Sequence, residues 1–239
     1  MWWVFCGTND LSALWAARGL KALGLEPLEI VTSESLTYNR RLEHRVRTGS
    51  SNVIIELADG RVLESRAVRG VLNRLGLLPS AHFDAANTVD RDYAQQELYA
   101  LFLSWLHSLP GPLLNRPTPQ GLSGAWRHLS EWMWLAGKAG LMTPPYRLGG
   151  LGESYDGGRD SIISNRMAIV TDDVTCEPAM PPQVRAGCLA LARLSGTALL
   201  GIHFHVANGQ WTFVSATPAP DLHLGGDPVL HGLYRQLTQ

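Results

Sequence analysis

The chain has 239 residues, of which 45% are hydrophobic and 17% are charged, and its formal net charge is −1. This size allows one large domain or two small ones, and the near-neutral charge excludes the basic surface typical of nucleic-acid-binding proteins. The three cysteines are too widely spaced for a metal motif or a disulfide framework, which indicates a reducing, cytoplasmic setting. The apolar run at the N-terminus is too short for a signal peptide or a membrane span, so no membrane partner is expected.

The first elements predict a parallel α/β layer. A strand over Trp2–Gly7 precedes a helix that Asn9 or Asp10 caps and that runs to about Gly24, and a second strand follows over Pro27–Thr32. Short connections in the order strand, helix, strand favour parallel pairing of the two strands.

The next elements are a hairpin, a buried strand and a long helix. Asp59 and Gly60 lie between two alternating runs and suit a type I′ hairpin turn. The buried strand covers Val68–Leu75. Apolar side chains at helical spacing predict the long helix from about Asp90 to Leu109.

Two strand ends in this half carry an asparagine followed by an arginine. Asn73 and Arg74 end the buried strand, and Asn115 and Arg116 end a short strand after the long helix. Ligands of open α/β sheets bind at such strand ends, where an arginine holds a carboxylate or a phosphate. An arginine there equally ties neighbouring loops together, and the sequence leaves both interpretations open.

A change in composition begins the second half. Ser123 is predicted to cap a helix with Trp126, Trp132 and Trp134 on different sides. A helix that is apolar almost all round is buried by protein on several sides. A glycine-rich loop over Leu148–Ser161 follows, without the strand–turn–helix context of a phosphate-binding loop.

The remaining elements are two hairpins and two helices. Arg166–Pro178 forms the first hairpin, and Pro182–Ser195 forms a helix. Asn208 and Gly209 are the tip of the second hairpin, which has the strongest signal in the chain. A final helix covers Val229–Leu237.

One pair of residues suggests a metal site. His203 and His205 alternate on one strand, so both side chains lie on one face of the sheet. Two neutral imidazoles on one face are one route to a metal site. The alternative is a pair of half-exposed strand histidines without a ligand, because no cysteine or carboxylate stands nearby at a familiar spacing.

The order of the elements, together with four short motifs, resembles the ATP-grasp superfamily, especially ligases of the microviridin (graspetide) and ribosomal-protein glutamate ligase type. The motifs are VLNRL, LLNRP, AGLMTPP and the final hairpin LLGIHFHVANGQWTFVSATPAPD. The resemblance implies an α/β (α+β) fold, in which a pre-ATP-grasp α/β domain over residues 1–118 precedes an ATP-grasp-like core over residues 119–239. It also implies that relatives bind ATP and Mg²⁺.

The chain departs from the family's pattern at the metal site. The glutamate and the asparagine that hold Mg²⁺ in the family match Ser215 and Thr217, and the aspartate of the neighbouring strand matches His203. Hydroxyl groups are poor replacements, because Mg²⁺ prefers charged oxygen ligands in octahedral order. A lysine of the family matches Arg127 or His128.

The middle of the core is also short. Between Pro145 and Arg166 there is room only for a glycine-rich loop, so the core is predicted to lack most of its central lid subdomain. In the family that subdomain supplies a second lysine and the contacts to adenine. The loss of metal ligands, lysines and lid argues against phosphoryl transfer, which depends on positioning and charge neutralisation.

The register of the last hairpin conflicts with this matching. A two-residue turn at Asn208 and Gly209 pairs Ile202 with Ser215, which puts Ser215 on the apolar face and His203 on the other. Either a β-bulge shifts the register, or the match of His203 to the family's aspartate is off by one residue.

Taken together, the sequence predicts a degenerate ATP-grasp-like protein that is not a ligase, needs no cofactor and binds a peptide or protein partner in peptide modification. The alternatives are a divergent ATP-dependent carboxylate–amine ligase, which would use ATP and Mg²⁺, and a small-molecule or metal-binding module that uses His203 and His205. A homodimer or a heteromeric complex is expected, with Trp126, Trp132 and Trp134 in the interface. The candidate cleft residues are Asn73, Arg74, Asn115, Arg116, Arg166, His203, His205, Ser215 and Thr217.

Overall fold

The computed structural model describes residues 1–48, 50–144 and 164–239. These residues form two compact units, Met1–Ala125 together with Leu233–Gln239, and Trp126–Gly232. The units divide after Ala125, whereas the sequence placed a domain boundary after residue 118. None of the described helices is both long enough and apolar enough to cross a membrane.

The first unit combines a parallel sheet with an antiparallel one. Its elements are β1 (Trp2–Cys6), α1 (Leu11–Ala22), β2 (Leu28–Thr32), α2 (Ser33–Thr37), β3 (Arg41–Arg47), β4 (Ser50–Glu56), β5 (Val62–Glu64), β6 (Gly70–Asn73), α3 (Thr88–Ser108) and β7 (Leu113–Leu114). The parallel sheet has the strand order β2-β1-β6-β7, and the antiparallel sheet has the order β3-β4-β5.

Side-chain caps define where the helices of this unit begin. The Asp10 carboxylate accepts a hydrogen bond from the backbone N–H of Ala13 (2.9 Å) and caps α1. The Asn87 side chain accepts one from the backbone N–H of Asp90 (3.0 Å) and caps α3. The predicted parallel layer and the predicted long helix are both confirmed.

The core of the first unit lies between β1 and the C-terminal part of α3. The rings of Trp3, Phe5 and Trp105 are fully buried, with centroids 5.4 Å apart for Phe5 and Trp105 and 6.5 Å apart for Trp3 and Trp105. The Trp105 indole N–H donates to the Ser65 hydroxyl (3.0 Å), so this buried polar group is satisfied.

The hairpin predicted around Asp59 and Gly60 is present, but its turn is not of type I′. Gly60 has a φ of 89°, whereas Asp59 has a negative φ, and a type I′ turn requires a positive φ at both central residues. Backbone hydrogen bonds from Leu57 to Arg61 (2.8 Å) and from Gly60 to Leu57 (3.0 Å) close a longer connection.

The second unit is an antiparallel sheet with helices on one face. Its elements are α4 (Leu129–Lys138), β8 (Ser164–Val170), β9 (Val174–Thr175), α5 (Pro182–Ser195), β10 (Leu200–Ala207) and β11 (Gln210–Thr217), while α6 (Gly226–Thr238) contributes residues to both units. The strand order is β11-β10-β8-β9. Trp132 and Leu135 of α4 and Leu191 of α5 pack against Phe204 and Phe213 of the sheet.

Helix α4 begins later than the cap predicted at Ser123. Gly124 has a φ of 106°, a conformation that no α-helix contains. The chain therefore stays irregular up to His128, whose Nδ1 accepts a hydrogen bond from the backbone N–H of Ser130 (3.3 Å) and caps α4. The predicted start was wrong, and Trp126 precedes the helix.

The remaining predicted elements of this unit are confirmed. Pro182 begins α5, and Gly196 ends it with a φ of 66°. At the tip of the last hairpin Asn208 and Gly209 have φ angles of 51° and 78°, as a type I′ turn requires.

Candidate functional site

A β-bulge sets the geometry of the last hairpin. Phe204 pairs with Phe213 as the turn dictates, but the next pair is His203 with Ser215, so Val214 is the extra residue. The uninterrupted register expected from the two-residue turn was wrong beyond Phe213, and the bulge alternative is confirmed. His203 and Ser215 therefore lie side by side on one face of the sheet.

This face, which points away from α4 and α5, carries a row of mostly polar side chains that we call the polar strip. His205 pairs with Thr212 on β11, and Thr217 pairs with Gly201 of β10. On the other neighbouring strand, β8, Met167 pairs with His203 and Asn165 pairs with His205. The polar strip thus consists of Asn165, Met167, His203, His205, Thr212, Ser215 and Thr217.

A proline turn closes one end of the polar strip. A Cβ atom added to Gly201 would lie 2.7 Å from the Cβ atom of Pro220, so only glycine lets the chain fold back so closely. The Thr217 hydroxyl accepts a hydrogen bond from the backbone N–H of Ala219 (3.2 Å). Thr217 therefore holds this turn together as well as bordering the strip.

The polar strip carries little charge near neutral pH. His203 is half-buried, and burial lowers the pKa of its imidazole below the ordinary value of 6.5, so the ring is neutral. His205 is exposed, and Ser215 is half-buried. The described residues contain no group of three or more His, Cys, Asp or Glu side chains arranged to hold a metal ion.

Arg166 lies on the opposite face of the same sheet. It pairs with Phe204, whose ring packs under α4 and α5, so its side chain is on the helix-covered face. There its positive charge partly offsets the effect of burial, which raises the pKa of Cys176. The structure does not bring Arg166 together with the polar strip.

In the first unit Asn73 and Asn115 are buried at the ends of β6 and β7. The Asn73 amide donates to the backbone carbonyls of Asn115 (2.8 Å) and Leu122 (2.7 Å), and its oxygen accepts from the N–H of Leu75 (3.3 Å). These hydrogen bonds join the loops that follow the two strands.

The two arginines at these strand ends also make contacts within their own unit. Arg74 forms a bidentate ion pair with Asp10, with distances of 2.7 Å from Nε and 3.1 Å from Nη2, and its side chain is only 6% exposed. Arg116 is exposed and donates to the carbonyl of Gly111 (3.3 Å). The contacts of Arg74 are those of an arginine that ties loops together.

The residues that match the family's lysine position support α4 and its surroundings. Arg127 forms an ion pair with Glu131 and donates to the carbonyl of Ser195 (3.2 Å). The ring of His128 caps α4. Both side chains thus hold the second unit together.

The three tryptophans of the predicted interface differ in exposure. Trp126 and Trp134 are 70% and 60% exposed, whereas Trp132 is 4% exposed and belongs to the core of the second unit. The Lys138 ammonium lies 4.9 Å from the centroid of the Trp134 ring. The alternative that the Leu148–Ser161 loop covers this helix lies outside the described residues.

Three residues of the polar strip were not predicted from the sequence. Met167, Asn165 and Thr212 join it only through the register with His203 and His205. Alternation along the predicted strands was the available signal, because residues two apart share a face. The side-by-side placement needed the pairing of three strands, which no local pattern gives.

Comparison with known proteins establishes the class of fold. Neither a protein-family model nor the sequence of a curated protein matches the chain. Among solved structures, the chain matches ATP-grasp ligases over almost its whole length. The predicted ATP-grasp-like, mixed α/β fold is therefore confirmed.

Three of these structures illustrate the likeness. Macrocyclase MdnC from Microcystis aeruginosa, bound with precursor peptide MdnA, has a TM-score of 0.73 at 13% identity, covering 100% of this chain and 99% of that one. A RiPP-associated ATP-grasp ligase from Chryseobacterium gregarium, in complex with ADP and a leader and core peptide, has a TM-score of 0.69 at 12% identity, covering 99% and 95%. ATP-grasp ligase PsnB, complexed with a phosphomimetic variant of its minimal precursor, Mg and ADP, has a TM-score of 0.68 at 14% identity, covering 98% of both chains.

Proposed function

We propose that this protein binds a peptide or protein partner during peptide modification in the cytoplasm, and that it does not itself catalyse ATP-dependent ligation. The observation that carries the proposal is the composition of the polar strip, in which His203, Ser215 and Thr217 lie together. By the resemblance described above, these positions match an aspartate, a glutamate and an asparagine of the family.

The three side chains do not fit Mg²⁺. This ion prefers charged oxygen ligands in octahedral geometry, whereas these three residues offer two hydroxyl groups and a neutral imidazole. The hydroxyl of Thr217 also accepts a hydrogen bond from the backbone N–H of Ala219. We therefore derive no phosphoryl-transfer step at this site.

The peptide role is supported by the solved structures that share the fold. The MdnC, Chryseobacterium gregarium and PsnB structures all contain a precursor peptide or parts of one. This chain matches each of them almost from end to end. A fold-level likeness is an analogy, and the role needs a direct test.

Calorimetric titration with millimolar Mg-ATP tests the loss of ligation. We expect no saturable heat for the wild type and the same trace for Ser215→Ala, because this hydroxyl holds no ion. An assay for ADP in the presence of added amines and carboxylic acids should stay at background. Micromolar, Mg²⁺-dependent binding that Ser215→Ala weakens would instead favour the divergent ligase.

Fluorescence anisotropy tests the peptide role separately. The probes are labelled precursor peptides encoded beside the gene, and the control for each is a scrambled peptide of the same composition. We expect saturable binding of at least one native peptide without nucleotide. If native and scrambled peptides give the same unsaturated signal, the peptide role is wrong whatever the nucleotide result.

A further inference from the structure

The polar strip contains one thioether and two imidazoles, which are soft or borderline ligands for metal ions. Met167 lies directly opposite His203, and His205 follows on the same face of β10. Directly opposite residues of antiparallel strands have Cβ atoms about 4.5–5.5 Å apart, and each residue of a strand rises about 3.4 Å, so His203 and His205 are about 7 Å apart along it. Side chains as long as methionine and histidine are able to reach a common ligand over such distances.

These donors are not used elsewhere. Neither His203 nor His205 makes a hydrogen bond within residues 1–48, 50–144 and 164–239, whereas His44 bonds to Ser51 (2.9 Å). Met167 is half-buried and is not part of the core cluster under α4 and α5. His203 is half-buried and His205 is exposed, so both imidazoles are free to bind a ligand.

We propose that Met167, His203 and His205 bind a copper(I) ion on the polar strip. Thioether ligands favour copper(I) over the hard cations, and imidazole is a good ligand for copper. Mg²⁺ and Ca²⁺ need several oxygen ligands, and the strip has no carboxylate. Structural zinc sites are built from cysteine, histidine and carboxylate ligands, and here two histidines stand without a third ligand of that kind.

The neighbours of the three ligands suit such an ion. Ser215 borders His203 on the side away from Met167, and Asn165 borders His205 on β8. Both side chains are neutral, so they neither repel a monovalent cation nor supply the charged oxygens that would attract a harder one. The site does not depend on the proposed peptide role, because it needs neither a nucleotide nor a partner chain.

The test is an anaerobic titration of the protein with copper(I) in competition with the chromophoric chelator bicinchoninate. The host is Cys176→Ser, because Cys176 is the only partly exposed thiol among the described residues and would itself bind copper. Burial raises the pKa of Cys6 to about 11 and of Cys188 to about 12, so both of these buried thiols stay protonated. We expect the host to bind a single copper ion.

Matched variants assign the ligands. Met167→Leu keeps the size of the side chain and removes the sulfur. We expect copper binding to weaken about tenfold or more, since even the outer partners of metal ligands change affinity by about 10–100-fold. His203→Gln and His205→Gln should weaken it similarly. Met180→Leu, at a methionine that packs against the core cluster under α4 and α5, should leave it unchanged.

X-ray absorption at the copper edge gives a second readout. Sulfur should be present around copper in the host and absent in Met167→Leu, with circular dichroism showing that the variants are folded. The proposal is overturned if the host does not bind copper, or if Met167→Leu binds as the host does. Equal losses in Met180→Leu and Met167→Leu would also overturn it.

Discussion

At the scale of single residues, Asp10 shows why a strand-end arginine is structural here. One oxygen of its carboxylate caps α1 and also accepts from Nη2 of Arg74, while the other oxygen accepts from Nε. The ion pair is bidentate and both partners are largely buried. Removal of one partner of such a pair destabilises a protein strongly. If Arg74 held a carboxylate or phosphate ligand instead, its ion pair with Asp10 would have to open.

Replacement of Arg74 tests that assignment. We expect Arg74→Ala to lower the free energy of unfolding by about 3 kcal/mol, since it leaves the Asp10 carboxylate buried without its partner. Arg116→Ala is the matched control, and because Arg116 is exposed we expect a change within about 0.5 kcal/mol. Urea denaturation measures both, and equal effects would show that Arg74 is not a structural arginine.

The depressed pKa of His203 predicts a pH dependence of stability. The unfolded ring takes up a proton near its ordinary value of 6.5, whereas the folded ring does so only at a lower pH. Between these values the unfolded state binds more protons, so acid favours unfolding. Stability is therefore complete above pH 6.5 and falls as the pH drops toward the folded pKa.

Urea midpoints at about pH 7.5 and about pH 5.5 check this sign. His203→Gln should lose less stability between the two conditions than the wild type does. His205→Gln, which changes an exposed ring of the same strand, should behave like the wild type. An identical acid-side loss in wild type and His203→Gln would contradict the prediction.

At the scale of elements, the β-bulge at Val214 determines which side chains of β11 lie on the polar strip beyond Phe213. Val214 has no partner on β10, and beyond it the register moves so that Ser215 faces His203. Without the bulge Ser215 would face Ile202, which is fully buried. The bulge therefore keeps Ser215 and Thr217 on the polar strip.

Deletion of Val214 should remove the bulge and leave Ser215 opposite His203, because the residues on both sides of Val214 keep their partners on β10. We therefore expect a loss of stability smaller than the cost of an unsatisfied buried hydroxyl, which is about 1–3 kcal/mol. Val214→Thr keeps the bulge and should change the urea midpoint little. A loss above that range in the deletion variant would contradict the prediction, because it would mean that Ser215 had turned toward the core.

The sequence predicted those features of the hairpins that depend on neighbouring residues alone. Asn208 and Gly209 specify their turn because both adopt a positive φ there. The bulge was only one of two alternatives, because it depends on the fit between strands and not on the composition of either strand. Strand β3, Arg41–Arg47, was missed because its charged side chains hide the alternation that marks a half-buried strand.

At the scale of the whole molecule, fold and site carry different information. The order of strands and helices, together with four short motifs, predicted an ATP-grasp-like fold, which the solved structures confirm. The side chains on that fold include a neutral histidine and two hydroxyls where the family's pattern has stronger ligands for Mg²⁺. A shared scaffold thus supports the proposed peptide role only by analogy, and the proposed loss of ligation depends on the side chains of the site.

The exposed tryptophan of α4 predicts an assembly. Trp134 is 60% exposed although it follows a buried stretch of the same helix, and a large aromatic side chain on a surface is typical of an interface centre. Burying such a side chain contributes about 1.5–3 kcal/mol to an interface, to which its packed neighbours add. We therefore expect Trp134 to lie in a contact with a second copy or with a partner protein.

Light scattering should give a mass above that of the monomer for the wild type and the monomer mass for Trp134→Glu. Leu194→Glu, at a residue that is 51% exposed on α5, is the matched control and should assemble like the wild type. A monomer for all three, with the same tryptophan emission and the same co-purifying proteins, would leave Trp134 as an ordinary surface residue.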